Sequence, residues 1–258
     1  MNKIFQPNLL VYLLIFPLFV FSQGEANNWY FGNGAGITFN SGNAIGLNNG
    51  NLFAFEGCSS ISDANGNLLF YSDGRFVFNR NHLPMLNGTG LLGDASATQS
   101  GLIVPHPGNS NLFYVFSIDE EAGPNGIRYS VVDMTLDGGL GAVNSFKNIL
   151  LYSPTSERIT AVQHSNGNDI WIITRTSTGN EYKTFLIDNN GLNTTPISSF
   201  SGLNATTNVG DSIGYMKLSP DGTKLAVAYV DSRTLEIHDF NTSSGIVNNS
   251  IQLLDFDP

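Results

Sequence analysis

The sequence predicts an all-β fold, and three observations carry that reading. The 258 residues include 18 Phe, 9 Tyr and 28 Gly, and only 12% are charged; strands favour aromatic and β-branched residues, and turns favour Gly, Asn and Asp. No stretch sustains the 3.6-residue apolar period of an amphipathic helix. One phrase, a tight turn running into an alternating apolar strand, occurs four times. Its clearest copy is Ser219-Pro220-Asp221-Gly222 followed by Lys224 to Tyr229. Earlier copies are Asp63-Ala64-Asn65-Gly66 with Leu68 to Tyr71, His106-Pro107-Gly108 with Leu112 to Phe116, and His164-Ser165-Asn166-Gly167 with Ile170 to Ile173.

Gly66, Gly108, Gly167 and Gly222 are separated by 42, 59 and 55 residues, a loose period once loop insertions are allowed. Four antiparallel strands per unit at roughly 40–50 residues is the pattern of β-propeller blades of the YVTN or WD40 kind. A β-sandwich also has many short strands, but it does not repeat one turn-strand phrase at a recurring place.

Taken in order, residues 1–22 read as a signal peptide. Lys3 supplies a weak positive start, Leu9 to Phe21 is continuously apolar, and Ser22-Gln23-Gly24 offers a cleavage point. Residues 23–258 read as the propeller domain. Asn28–Gly32 and Gly36–Asn40 form two short strands, with Asn43–Leu47 as a third. Ser59–Ile61, Leu68–Tyr71 and Phe76–Asn79 follow, joined by Asn65-Gly66 and Asp73-Gly74, which suit two-residue hairpin turns. Residues 79–98 read as one long connection, the kind that often carries function. Three more units begin at Gly101, Thr160 and Ile213. Counting the N-terminal strands as a further unit makes about five blades. The last residues form an outer strand with no closing strand after it, so an incomplete or open ring is expected.

Charge excludes some partners. The chain carries 11 basic and 21 acidic side chains, a net charge of −10, and loss of Lys3 with the leader makes it more acidic by one. Nucleic acid and anionic membrane surfaces both need a basic face, so neither is expected as a partner, and no membrane insertion is expected after signal cleavage. The single cysteine, Cys58, rules out an internal disulfide and reads as a small buried residue on an inner strand.

Catalytic and metal signatures are weak. His82, His106, His164 and His238 are the only histidines and share no ligand spacing, so no metal and no cofactor is predicted. Asp63 to Asn67 begins like a calcium loop, but Leu68 stands where the bend needs Gly and Gly74 where a bidentate Glu is needed; a hairpin turn is the better reading. Glu120-Glu121 reads as solvated surface, no Gly-x-Ser-x-Gly elbow occurs, and the Asn-x-Ser/Thr triplets read as chance in an Asn-rich chain.

An ordered series of motifs then resembles a known family. It runs Asn28-Trp29-Tyr30-Phe31-Gly32, Glu56-Gly57-Cys58-Ser59-Ser60-Ile61-Ser62-Asp63, Asn79-Arg80-Asn81-His82 and Ser96-Ala97-Thr98-Gln99-Ser100-Gly101. Tyr129 to Met134 and Thr160-Ala161-Val162-Gln163-His164 continue it. Together they resemble the N-terminal β-propeller region of secreted Bacteroidetes proteins that carry a gliding-motility-associated C-terminal (type B) sorting domain for type IX secretion. The resemblance covers residues 27–258; no sorting domain or immunoglobulin-like repeat lies within this sequence. It implies a secreted or outer-surface protein, or a periplasmic one if the chain is complete as given, and it implies the secretion machinery as a partner if a sorting domain follows. Asp211-Ser212-Ile213 also resembles the short O-glycosylation motif of that phylum.

The leading functional expectation is a non-enzymatic surface module that binds an extracellular glycan or protein, for adhesion. Asn79, Arg80, Asn81 and His82 on the long connection, with Gln99, Gln163 and Lys217 on inner strands, are the candidate binding residues. The rival is a secreted hydrolase or lyase acting on polysaccharide or lactone, with Arg80, His82, Arg158 and Arg175 as its first candidates.

Overall fold

Antiparallel pairing dominates the computed structural model, which describes residues 24–255. The segment read as a signal peptide, residues 1–22, lies outside the described residues; Gly24–Ala26 form a short 3₁₀ turn ahead of the first strand. Among the described residues there is no α-helix, and no helix is long and apolar enough to cross a membrane.

Among the described residues, twenty-one strands form five successive meanders. The first holds β1 (Asn28–Phe31), β2 (Ala35–Thr38) and β3 (Ile45–Leu47). The second holds β4 (Ser59–Ser62), β5 (Leu68–Ser72), β6 (Phe76–Asn79) and β7 (Pro84–Thr89). In the third, β8 (Leu102–His106), β9 (Asn109–Ile118) and β10 (Ile127–Asp133) are followed by β11 (Ala142–Val143) and β12 (Ile149–Tyr152), and both of these pair with β10. The fourth repeats that plan: β13 (Thr155–Gln163), β14 (Ile170–Thr176) and β15 (Gly179–Asp188), then β16 (Gly191–Leu192) and β17 (Ile197–Ala205), both on β15. The fifth holds β18 (Met216–Leu218), β19 (Lys224–Tyr229), β20 (Thr234–Asn241) and β21 (Ile246–Asp255). A single parallel bridge, Ala142 to Leu86, joins the second and third meanders into one nine-stranded sheet.

Strand number therefore departs from a uniform four. In the third and fourth meanders the outermost position is shared by two successive strands, a two-residue strand and a longer one. The break in the fourth falls at residues 193–196, between β16 and β17, after a tight turn into β16 at Asn190-Gly191, where Gly191 takes a positive φ of 113°. The connection expected over 79–98 also resolves differently. Asn79 to Leu83 is a tight turn, β7 occupies Pro84–Thr89, and the true connection is 90–101.

The repeated phrase forms the turn between the first two strands of the second to fifth meanders. The amides of Gly66, Gly167 and Gly222 donate to the carbonyls of Asp63, His164 and Ser219 at 2.9, 2.9 and 2.8 Å, and each glycine has positive φ. The glycine thus closes a longer turn and does not sit at the centre of a two-residue hairpin. At Asp73-Gly74 the link is likewise three residues, with the Asp73 carboxylate accepting from the amides of Arg75 and Phe76 at 2.9 Å. The Asp63 carboxylate is occupied by Asn65 N, Asn67 N and Asn67 Nδ2, all at 2.9 Å, as a hairpin turn requires. Gly108 is the exception, because its role is close packing: a β-carbon there would meet the Asn189 backbone at 2.8 Å.

Alternation along the middle strands explains how the meanders stack. On β9, Phe113 and Val115 enter the apolar layer shared with the second meander, while Tyr114, Phe116 and Ile118 enter the layer shared with the fourth. On β14, Ile172 faces back to the third meander, and Trp171 and Ile173 face forward to Met216, Leu225 and Val227 of the fifth. Side chains two apart share a face, so a strand apolar at every position is one buried on both sides. Each such aromatic or branched side chain contributes about 1.5–3 kcal/mol on burial. This is a β-propeller-like all-β arrangement, with successive sheets packed face to face.

Candidate ligand-binding site

The first strands of the second to fifth meanders, β4, β8, β13 and β18, converge on a cavity of about 220 Å³. Gly57, Cys58 and Ser59 line it from the start of β4, and Ser100 and Leu102 from the start of β8. Ile159, Thr160 and Ala161 line it from β13, and Tyr215 and Lys217 from β18, with Gln99 completing the wall. A first strand pairs on one side only, so its other edge turns unpaired peptide groups inward.

One connection gathers these strands. Residues 94–101 touch every meander but the first through hydrogen bonds, and they also hold the segment that leads out of it. The carbonyl of Ala95 accepts from Phe55 N at 3.1 Å and Glu56 N at 3.2 Å; Ala97 O accepts from Gly57 N at 3.1 Å. Ser59 Oγ on β4 donates to Gly101 O. Asp94 N and Gly101 N donate to the carbonyls of Ile118 and Phe116 on β9 at 3.0 and 2.9 Å. Thr98 donates from N and Oγ1 to Glu157 Oε2 on β13 at 2.7 and 2.8 Å. Gln99 pairs with Met216 on β18: Nε2 donates to the carbonyl at 3.0 Å and Oε1 accepts from the amide at 2.7 Å. A side-chain amide has the same donor and acceptor as a peptide, so Gln99 satisfies the edge of β18 as another strand would. Glu157 is fully buried, and its second oxygen accepts from Glu121 N at 2.7 Å. Glu121 thus contributes its backbone to this joint, while Glu120 beside it is held above the ordinary carboxylate range, chiefly by the nearby charge of Asp94.

The candidate residues read from the sequence fall into three places. Gln99 and Lys217 both line the cavity of about 220 Å³. Gln163 sits at the far end of β13, beside a wider groove of about 520 Å³ lined by Ile103 to Pro107 and Ala161 to Gln163; its Nε2 donates to Gly167 O at 2.6 Å. The two cavities share Ala161 and so lie along the same strand. Asn79 to His82 form a separate turn. There Asn79 is buried and its Oδ1 caps the amides of Asn81 at 2.9 Å and Leu83 at 3.3 Å. Arg80 donates to Gly139 O, and Asn81 is exposed. His82 takes φ 61°, lies 3.2 Å from Tyr71 OH through Nδ1 and 2.9 Å from Asn49 Nδ2 through Nε2, and is held below the usual histidine range by desolvation. These four serve contacts among the first three meanders and do not line the cavity.

Arg158 and Arg175 are buried completely. Arg158 donates to the carbonyls of Asp211 (2.9 Å), Ile213 (2.5 Å) and Ala228 (2.6 Å), with its guanidinium 4.7 Å from the Tyr229 ring centre. Burial lowers its pKa to about 10. Arg175 donates to Gly179 O at 2.5 Å and Leu203 O at 2.6 Å and lies over the same ring at 5.1 Å. Around them run Tyr182, His238 and Glu236. Tyr182 OH is 3.0 Å from His238 Nε2, Ser201 Oγ is 3.0 Å from His238 Nδ1, and Tyr229 OH donates to Glu236 Oε2 at 3.2 Å. This network fills the seam between the fourth and fifth meanders. The four residues of the enzymatic reading, Arg80, His82, Arg158 and Arg175, therefore do not share a site.

Two further expectations change. Cys58 is half-buried on the cavity wall, and burial, the largest influence on it, pushes its thiol up from the ordinary value. Asp211 and Ser212 of the glycosylation-like motif are buried, and Ser212 Oγ donates to Val209 O at 2.6 Å, so this serine does not present a free hydroxyl. Among the described residues no three His, Cys, Asp or Glu side chains gather as a metal site would require. Sequence reasoning missed Thr98, Glu157 and Tyr215; the Ser96–Gly101 motif was the signal for the first, and nothing local marked the other two.

No family model matches the chain, and no curated protein matches it. Among solved structures, a protein of unknown function from Desulfotomaculum acetoxidans is 16% identical, with a TM-score of 0.46 over 84% of this chain and 63% of that one. A putative 6-phosphogluconolactonase from Bacteroides fragilis is 15% identical, with a TM-score of 0.41 over 85% of this chain and 64% of that one. A Lactobacillus plantarum protein is 12% identical, with a TM-score of 0.42 over 90% and 68%. The chain spans less than two thirds of the first two.

Proposed function

We propose that the chain is a five-bladed segment of an exported, surface-exposed β-propeller that captures an extracellular glycan or protein ligand at its axial cavity, without catalysing a reaction. Each meander is one blade, with the fourth position split in the third and fourth. The observation that carries the reading is the convergence of four first strands and one connection on a cavity of mixed polar and apolar lining that holds Gln99 and Lys217. Ligand sites are concave, mostly apolar and furnished with a few fixed polar groups. Export rests on the apolar leader and on the resemblance to sorted surface proteins.

Cys58, the only cysteine, is a native reporter on the cavity wall. Glycan arrays and whole-cell pull-downs with the purified chain should yield a ligand, and saturating amounts of it should slow alkylation of Cys58 severalfold. A ligand that binds with Cys58 alkylation unchanged, or silence in both screens, would overturn the assignment.

A further inference from the structure

The axial cavity has one charged side chain, and its sign is against that of the molecule. Lys217 is the only charged residue lining it, on a chain whose net charge is −10. It is exposed, and no carboxylate lies within ion-pair distance of it among the described residues. By contrast Lys183 and Lys224 are paired with Glu181 and Asp239 at 2.6 and 2.5 Å. Around Lys217 stand an aromatic surface, Tyr215, which is 59% exposed, and the hydroxyl-bearing Ser59 and Thr160. The volume of about 220 Å³ falls below the roughly 300–1,000 Å³ of sites that hold drug-sized ligands, and suits a single sugar ring.

We propose that this cavity takes a uronic-acid residue of an acidic glycan, its carboxylate on Lys217 and its ring against Tyr215. The proposal rests on the glycan-binding reading given above and adds the charge of the ligand. A hydrated ammonium on a wall shared with apolar side chains attracts an anion more strongly than it would in open water. The net charge of −10 disfavours anions that are not held locally, so selectivity for a carboxylate must come from this lysine. Gln99, tied at both ends to Met216, fixes the strand that carries Lys217.

Calorimetric titration of the purified chain with galacturonate and with galactose tests this, using Lys217→Gln, Lys217→Arg and a sulfate competition. Lys217 is exposed, so both variants should keep the parent melting temperature. Galacturonate is expected to bind at least tenfold more tightly than galactose. The preference should vanish in Lys217→Gln, persist in Lys217→Arg, and resist sulfate at equal concentration. Equal affinity for the two sugars, a preference retained in Lys217→Gln, or displacement by equimolar sulfate overturns the acidic-ligand proposal while leaving a glycan site in place. Binding of neither sugar, with Cys58 alkylation unaffected by both, overturns this proposal and counts against the glycan reading beneath it.

Discussion

Arg158 is fully buried, and among the described residues it faces no carboxylate within ion-pair distance. Its partners are three carbonyls and the face of Tyr229. Removing it leaves those carbonyls without donors, and a buried unsatisfied group costs about 1–3 kcal/mol. Arg158→Met should therefore lower unfolding stability by about 3 kcal/mol, measured as a urea midpoint shift with unchanged slope. Glu236 gives the pH dependence of the same seam. Burial alone would raise its pKa, but hydrogen bonds from His238, Leu203 N and Tyr229 outweigh it and hold the carboxyl below its ordinary value. Asp211 is likewise lowered against burial, by Ser232 and Thr206. A carboxyl depressed in the folded state stabilises it fully above the unfolded pKa, about 4, and loses that contribution as pH falls through the folded value. The urea midpoint should thus stay level from neutral pH to about 5 and fall steeply below about 4. Glu236→Gln should lower the midpoint at neutral pH and flatten the acid limb; an unchanged acid limb would remove Glu236 from the account.

Connections, more than strands, separate what was legible in the sequence from what was not. The strands announced themselves, because Phe113 to Ile118 and Ile170 to Thr174 are apolar at nearly every position and bounded by turn residues. The turn glycines were legible as turns, but not their length, since Asn-Gly serves both two-residue and longer loops. Residues 79–98 were misread as one loop because Met85, Leu86 and Asn87 sit between glycines and prolines, which mask a six-residue strand. The gathering role of 94–101 could not be read at all. Gln99 and Met216 are 117 residues apart, and nothing near either predicts the other. Gly57 shows the same limit. Its backbone is unremarkable in φ, yet an added methyl would fall on Ser100 N and Ala97 O. Gly57→Ala should push the connection off β4 and cost more than the roughly 1 kcal/mol that a glycine position at ordinary φ would imply. A differential melting scan checks it, and a neutral result would show that the two segments are not in close contact.

At the scale of the whole molecule, the same stacking rule that buries the middle sheets leaves the end sheets with apolar outer faces. On the first meander Trp29 is 50% exposed, whereas Trp171, between the fourth and fifth, is 3% exposed. These are the only two tryptophans, so acrylamide should quench one emission component readily and spare the other until unfolding. Legibility at this scale was partial. The repeat predicted sheets arranged in series, and the alternating burial of β9 and β14 agrees with it. The position of the cavity followed only from the three-dimensional convergence of β4, β8, β13 and β18. Of the seven candidate residues, Gln99 and Lys217 lie on its wall, Gln99 on the connection that leads into β8 and Lys217 within β18, while Asn79 to His82 belong to a turn at the rim of the second meander. The central claim is that residues 94–101 tie the later meanders around this cavity. Hydrogen exchange of Gln99→Ala against the parent chain tests it most directly. The account predicts faster exchange at Met216 and along β18, with β5 and β9 unchanged. Exchange altered only next to residue 99, or raised uniformly through every strand, would contradict it.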